Sequence, residues 1–326
     1  MHLRPIQWNY LTDEKDRGSK MDLKRSHTSC HLFSLALASI FSMLLIISPT
    51  YACADWTPLI ERLVADKFDE QVIRKIFDQP GVNFDPDIMS CKLKELISKR
   101  YKKQDAGSAR KIKVAYARFL RPEVIAEAQS YLQRNRETLQ GIAENYCVPK
   151  EIVVSILLVE TELGQHLGNR GAFNTLASMA LSSDLETIRP YLAPDLLTRR
   201  NEDFAKKRCR QKADWAYGEL KALIRYASEN GIDPLSIPGS LYGAIGICQF
   251  MPTKISVYGV DADRDGRINL FSEQDALYSM ANYLRSHGWR CNMSMKRQYR
   301  VILAYNHSNI YADTVMNVAK KLKEKD

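Results

Sequence analysis

The sequence predicts a mainly α-helical protein, and three observations carry that prediction. Apolar residues recur at helical spacing through most of the chain after residue 54. An almost wholly apolar run, Ile152–Val159, follows Pro149 and ends before Gly164. No stretch alternates apolar and polar residues as a half-buried strand does. A composition of 45% hydrophobic and 26% charged residues suits a globular core and excludes a disordered or low-complexity chain.

The first 54 residues read as an export signal. Lys24, Arg25 and His27 precede an apolar run from Leu32 to Ile47, Pro49 ends it, and Ala52-Cys53-Ala54 forms a small-x-small site. The polar stretch before Met21 makes Met21 an alternative start. Cleavage after Ala54 is the preferred reading, giving an exported, periplasmic protein. Lipidation of Cys53 is the rival, and it alone would tie the chain to a membrane, as an outer-membrane lipoprotein. Residues 55–326 then form the mature domain.

Within it, residues 57–79 hold two short amphipathic stretches separated near Asp69. A longer helix opens after Arg121-Pro122, with Val124, Ala128, Tyr131, Leu132, Leu139 and Ile142 on its apolar face. The helix after Pro149 is apolar all round, and so is predicted to be buried. Further helices are predicted at 172–181, 213–229, 273–286 and 296–304. A last one is expected to run from Asn309 as N-cap, with Tyr311, Val315, Val318 and Leu322 on one face. The polar segment 102–108 reads as a surface loop, and Arg189–Arg210 as a charged, irregular insertion inside a small subdomain at 165–235.

Removing residues 1–54 takes away 6 basic and 4 acidic side chains, leaving 41 against 34, a net of +7. Such an excess suits an anionic polymer or a merely solvated basic surface, and export argues against nucleic acid. Five cysteines remain: Cys91, Cys147, Cys209, Cys248 and Cys291. No zinc-type spacing links them. Two disulfides with Cys248 left over are expected in an oxidising compartment, with the pairing left open.

Three short stretches carry chemistry. Glu160 directly follows the apolar run, a conflict between pattern and burial of the kind found at functional sites. Desolvation there would raise its pKa and keep a proton available for a leaving oxygen. The alternative is a helix-terminal Glu reaching solvent. Glu162, roughly 200° further round the helix, is expected to face solvent. The stretch Gly243–Pro252 joins flexible glycines to an apolar wall and one amide, Gln249, able to bind a sugar substituent; a tight packing turn is the alternative. Ala304–Tyr311 is a polar-aromatic link between two helices.

These stretches resemble the membrane-bound lytic transglycosylase B family. The resemblance rests on Val159–Gly164, Asn174–Ala177, Gly243–Pro252, Asp261–Leu270, Ala281–Leu284, His287–Trp289 and Ala304–Tyr311, in order across residues 120–320. It implies an α+β lysozyme-like fold with a helical catalytic domain and Glu160 as the single catalytic acid. It further implies Gln249, Tyr305, Asn306 and Tyr311 as substrate-binding residues. The implied reaction cleaves the glycan strands of peptidoglycan between N-acetylmuramic acid and N-acetylglucosamine. The substrate's own N-acetyl group assists, and 1,6-anhydromuramyl ends form. Most glycosidases use two carboxylates; only Glu160 has the context of one here. A muramidase using water, or a non-catalytic peptidoglycan-binding protein, are the alternatives. Cys248 departs from the family, which has Gly there, and its side chain is expected to narrow the groove.

No organic cofactor is expected, but a structural Ca²⁺ is. Asp261, Asp263, Asp265 and Gly266 match the opening of an EF-hand-like loop, with the Arg267 carbonyl at the seventh position. Position 12 is Ser272 rather than Glu. The resemblance supplies a longer loop, 261–275, closed by Asp275.

Overall fold

The computed structural model describes residues 54–101 and 114–324. The export signal, Cys53 and the 102–108 loop lie outside the described residues. From Ala54 onward these residues cluster as one compact unit. Among them no helix is long and apolar enough to cross a membrane.

Helices α1 (Thr57–Ala65) and α2 (Glu70–Phe77) are the two short amphipathic stretches. Asp69 caps the second by accepting the Val72 N–H at 2.9 Å. Helix α3 (Pro86–Tyr101) escaped the sequence reading, although Met89, Leu93 and Ile97 recur one turn apart and are buried. The long helix expected after Pro122 is two helices, α4 (Pro122–Arg134) and α5 (Arg136–Tyr146). The chain leaves helical geometry at Asn135, so Leu139 and Ile142 belong to the second.

Helix α6 (Lys150–Thr161) is buried from Ile152 to its end, as a helix apolar all round must be. It packs chiefly against the last helix, α13, which spans Asn309–Lys323, and also against α4. The N-cap of α13 is Ser308, whose hydroxyl accepts the Tyr311 N–H, rather than Asn309.

Among the described residues the strand content is one two-residue antiparallel pair, β1 (Arg170–Gly171) with β2 (Pro238–Gly239). Helix α7 (Ala172–Leu181) follows β1, and α8 is a single turn at Leu185–Ile188. Helix α9 runs from Glu202 to Asn230 against α7. Its first turns fell within the stretch expected to be irregular. Charged residues hide the helical stripe there, because only Ala205 and Cys209 are buried before Ala213. Arg189 ties the preceding loop to it by pairing with Glu202 at 2.7 Å. Helices α10 (Pro252–Tyr258), α11 (Glu273–Ser286) and α12 (Met295–Tyr305) complete the order.

Only one disulfide joins the described cysteines, Cys147–Cys291, where two were expected. It ties the end of α5 to the segment after Trp289, whose indole N–H donates to the Cys147 carbonyl at 2.8 Å. Cys91 and Cys209 are free thiols, as is Cys248. The Cys209 thiol is buried and donates to the Ser182 carbonyl, which gives it a partner other than sulfur.

Candidate active site

The apolar run that buries α6 also delivers a carboxylate to its end. Glu160 is 9% exposed, and Oε1 accepts a hydrogen bond of 2.8 Å from the Tyr311 hydroxyl. Tyr311 is itself fully buried, on the helix that packs along α6. The phenol thus meets the carboxyl from within the protein, between α13 and α6. Burial, then the charge of Glu160, pushes the Tyr311 phenol well above its usual pKa, so it stays a donor.

The helix stops one residue later by a local device. Glu162, Leu163 and Gly164 all take positive φ, and the Thr161 hydroxyl accepts the Gly164 N–H at 3.0 Å. The same hydroxyl donates to the Ile247 carbonyl at 3.0 Å. The end of the glutamate-bearing helix is thus tied to the glycine-rich stretch 243–252. Glu162 does not face solvent freely as expected. It accepts from Arg118 at 2.6 Å and lies 3.4 Å from the His166 ring nitrogen.

Glu162→Gln is expected to lower stability by up to about 1.5–3 kcal/mol, the range for a hydrogen bond to a charged group. It should spare turnover of the folded protein. Thermal melts and rate measurements on the variant check both, and a collapse of turnover would assign the chemistry to Glu162 instead of Glu160.

The 243–252 stretch folds back on itself through bridges Gly239–Ile245 and Ile245–Phe250. Gln249 adopts positive φ, and its side-chain N–H groups donate to the Gly246 carbonyl at 2.9 Å and the Leu167 carbonyl at 3.4 Å. Those bonds fix the amide with its oxygen side available to a ligand. Cys248 is fully buried, so its side chain does not narrow the groove as expected. Its carbonyl instead accepts the Tyr305 hydroxyl at 2.6 Å. Tyr305 packs in an aromatic group with Phe250 and Tyr283, at centroid distances of 6.1 and 5.0 Å. Asn306 is buried beside it in sequence, and its side-chain N–H₂ lacks a partner among the described residues.

Glu160, Gln249 and Tyr305 open on one cleft of about 330 Å³. The sequence reading missed Lys92, Lys212, Trp215 and Tyr242, which line the same cleft. Single lysines and aromatics on amphipathic helices carry no signal of where the fold will point them. Also missed was Glu219, buried on α9. Its carboxylate accepts the Thr253 N–H and hydroxyl, each at 2.9 Å, and so caps α10 below the cleft. Burial raises its pKa against those two bonds.

Away from the cleft, ligand atoms of Asp261, Asp263 and Asp265 lie within 4.8 Å of one another. Backbone N–H groups of Asp265, Gly266 and Arg267 fold the loop around them. Asp275 does not join that group. It is fully buried, and its two oxygens accept the Ala262 and Asn269 N–H groups at 2.8 and 2.7 Å, closing the loop from its far end.

The Transglycosylase SLT domain family matches residues 53–298 of the chain. Over 172 residues the sequence is 31% identical to the membrane-bound lytic murein transglycosylase B of Escherichia coli (strain K12). That match covers 53% of this chain and 40% of the relative, so the chain spans well under half of that protein. The fold is similar to that of the E. coli lytic transglycosylase SLT35, solved in complex with calcium. The TM-score is 0.63 and the identity 21%, over 84% of this chain and 94% of that one. SltB3 from Pseudomonas aeruginosa, solved in complex with NAG-anhNAM-pentapeptide, is similar at a TM-score of 0.61 and 21% identity. That likeness covers 82% of this chain and 78% of the other.

Proposed function

Since this chain belongs to the Transglycosylase SLT domain family, we propose that it is a lytic transglycosylase. It cleaves the β-1,4 bond between N-acetylmuramic acid and N-acetylglucosamine in peptidoglycan, after export to the periplasm. The observation that carries the reading is the enclosed carboxyl of Glu160, backed by Tyr311 and opening on the cleft that Gln249 and Tyr305 line. A carboxyl enclosed in this way and facing the cleft can serve as general acid.

In the proposed reaction Glu160 gives its proton to the glycosidic oxygen as the bond to the muramyl C1 breaks. The substrate's N-acetyl group stabilises the positive charge left on the sugar. Glu160, now a carboxylate, takes the proton of the muramyl C6 hydroxyl, and that oxygen closes on C1. The acid is regenerated, no water is consumed, and a 1,6-anhydromuramyl end results. Tyr311 positions the carboxyl throughout, while Gln249, Tyr305 and Asn306 hold the strand. The direct test adds purified protein to intact peptidoglycan sacculi. Falling turbidity with release of soluble fragments is expected, and an undiminished suspension would remove the reading.

The loop at Asp261, Asp263 and Asp265 is proposed to hold a structural Ca²⁺. The donor set fits, being three carboxylates already gathered within 4.8 Å and a backbone carbonyl, that of Arg267, in the following turn. Asp275 serves it by closing the loop. An ion that binds only the folded chain stabilises it by about 2.7 kcal/mol at a hundredfold excess over its dissociation constant. Melting should therefore rise with free Ca²⁺ in the wild type and not in Asp263→Ala. Equal melting of the wild type in chelator and in Ca²⁺ would leave the loop an acidic turn.

A further inference from the structure

The cleft is lined by three lysines as well as by the carboxylates of Glu95 and Glu160. Lys92 on α3, Lys212 on α9 and Lys254 on α10 all line it. Two of these have partners that account for them. Lys92 pairs with Glu95 at 2.9 Å and lies 4.1 Å over the Tyr242 ring. Lys254 donates to the Tyr283 hydroxyl at 3.1 Å and feels the buried charge of Glu219.

Lys212 differs from both. It forms no ion pair among the described residues, and its nearest cation–π contact is the Trp215 ring at 5.1 Å. It is nonetheless half-buried, and burial followed by the charge of Lys92 lowers its pKa, while the Glu95 carboxylate in the same cleft acts the other way. Glu95 is ion-paired to Lys92 at 2.9 Å and not to Lys212, so an ammonium held partly out of water there is stabilised by a further anion. Trp215, one turn along the same helix face, offers the flat apolar surface on which a sugar ring stacks.

We propose that Lys212, with Lys92 beside it, anchors a carboxylate of the glycan strand. The protein thereby selects carboxylate-bearing strands over uncharged β-1,4 glycans. The inference rests on the peptidoglycan reading above and deepens it. Two sources carry the same chemistry: the lactyl carboxylate of a muramyl residue without its peptide, and the carboxylates of an attached stem peptide.

The experiment measures binding without turnover, in a Glu160→Gln background. The probes are a chitooligosaccharide, amidase-treated glycan strands with free lactyl groups, and peptide-bearing strands. Lys212→Met is expected to weaken binding of a carboxylate-bearing probe by about tenfold or more, the scale of one charge-assisted contact. Chitooligosaccharide affinity should hold, which also shows that the variant folds, and Lys212→Arg should restore binding. Loss on amidase-treated strands assigns the lactyl group, and loss confined to peptide-bearing strands assigns the stem. Added salt should weaken the same interaction in the parent. Equal losses on all three probes, no loss on any, or a parent that binds none would overturn the proposal. Because no bond is cleaved, failure of the cleavage reading shows separately, as wild-type protein that binds strands and leaves them intact.

Discussion

Glu160→Gln is expected to lower turnover on peptidoglycan by about 10²–10⁴-fold, the loss typical of removing a general acid. The amide has the shape of the carboxyl but cannot give and then retake a proton. The Tyr311 hydroxyl, now 2.8 Å from Oε1, can donate to the amide oxygen instead. The surrounding α6 residues are apolar and buried and lose nothing by the exchange. The melting temperature should therefore stay at or above that of the wild type, since a buried ionisable group has been removed. Turbidity assays on sacculi, paired with thermal melts, separate chemistry from folding. Near-wild-type turnover in the variant would sink the mechanism, and a large fall in melting temperature would make Glu160 a structural residue.

Gly246→Ala is expected to cost stability of about 2–5 kcal/mol, combining a left-handed backbone for a non-glycine residue with overpacking. The backbone at Gly246 has φ +73, and an added Cβ would meet Leu270 Cβ at 2.5 Å and its carbonyl oxygen at 2.6 Å. That carbonyl accepts the Ile247 N–H at 2.9 Å, so relief of the clash breaks the bond. The consequence reaches the cleft, because the Gly246 carbonyl also holds the Gln249 side chain at 2.9 Å. Activity of the folded fraction should fall along with the denaturant midpoint. A variant as stable and active as the wild type would mean that the 243–252 stretch tolerates rearrangement and does not set the amide.

Periodicity made the framework legible where burial is one-sided or total. The α6 run and the helices at 172–181 and 273–286 are strong patterns, and the structure places them there. The break at Asn135 was hidden because apolar residues continue at compatible spacing on either side of it. The start of α9 was hidden because solvated helical turns carry charges and no apolar stripe. Glu160 stood out as a carboxylate in an apolar run, a contrast visible along the chain itself. Lys212, Trp215 and Glu219 had no such contrast, since their roles arise only when α9 is laid against α10 and the glycine-rich turn. The reading of Cys248 as a groove-narrowing residue failed for the same reason: a side chain's direction is set by the fold, which turns the thiol inward. The contact of Tyr311 with Glu160 arises from the packing of α13 on α6, which no local pattern encodes.

The central claim is that the bond is closed by the muramyl C6 hydroxyl rather than by water. Mass spectrometry of the soluble products from purified peptidoglycan tests it most directly. The account predicts muropeptides ending in 1,6-anhydromuramic acid, each one water lighter than the hydrolysis product, and their absence when Glu160→Gln is used. Reducing muramyl ends at full hydrated mass from the wild-type protein would contradict it and make the protein a muramidase.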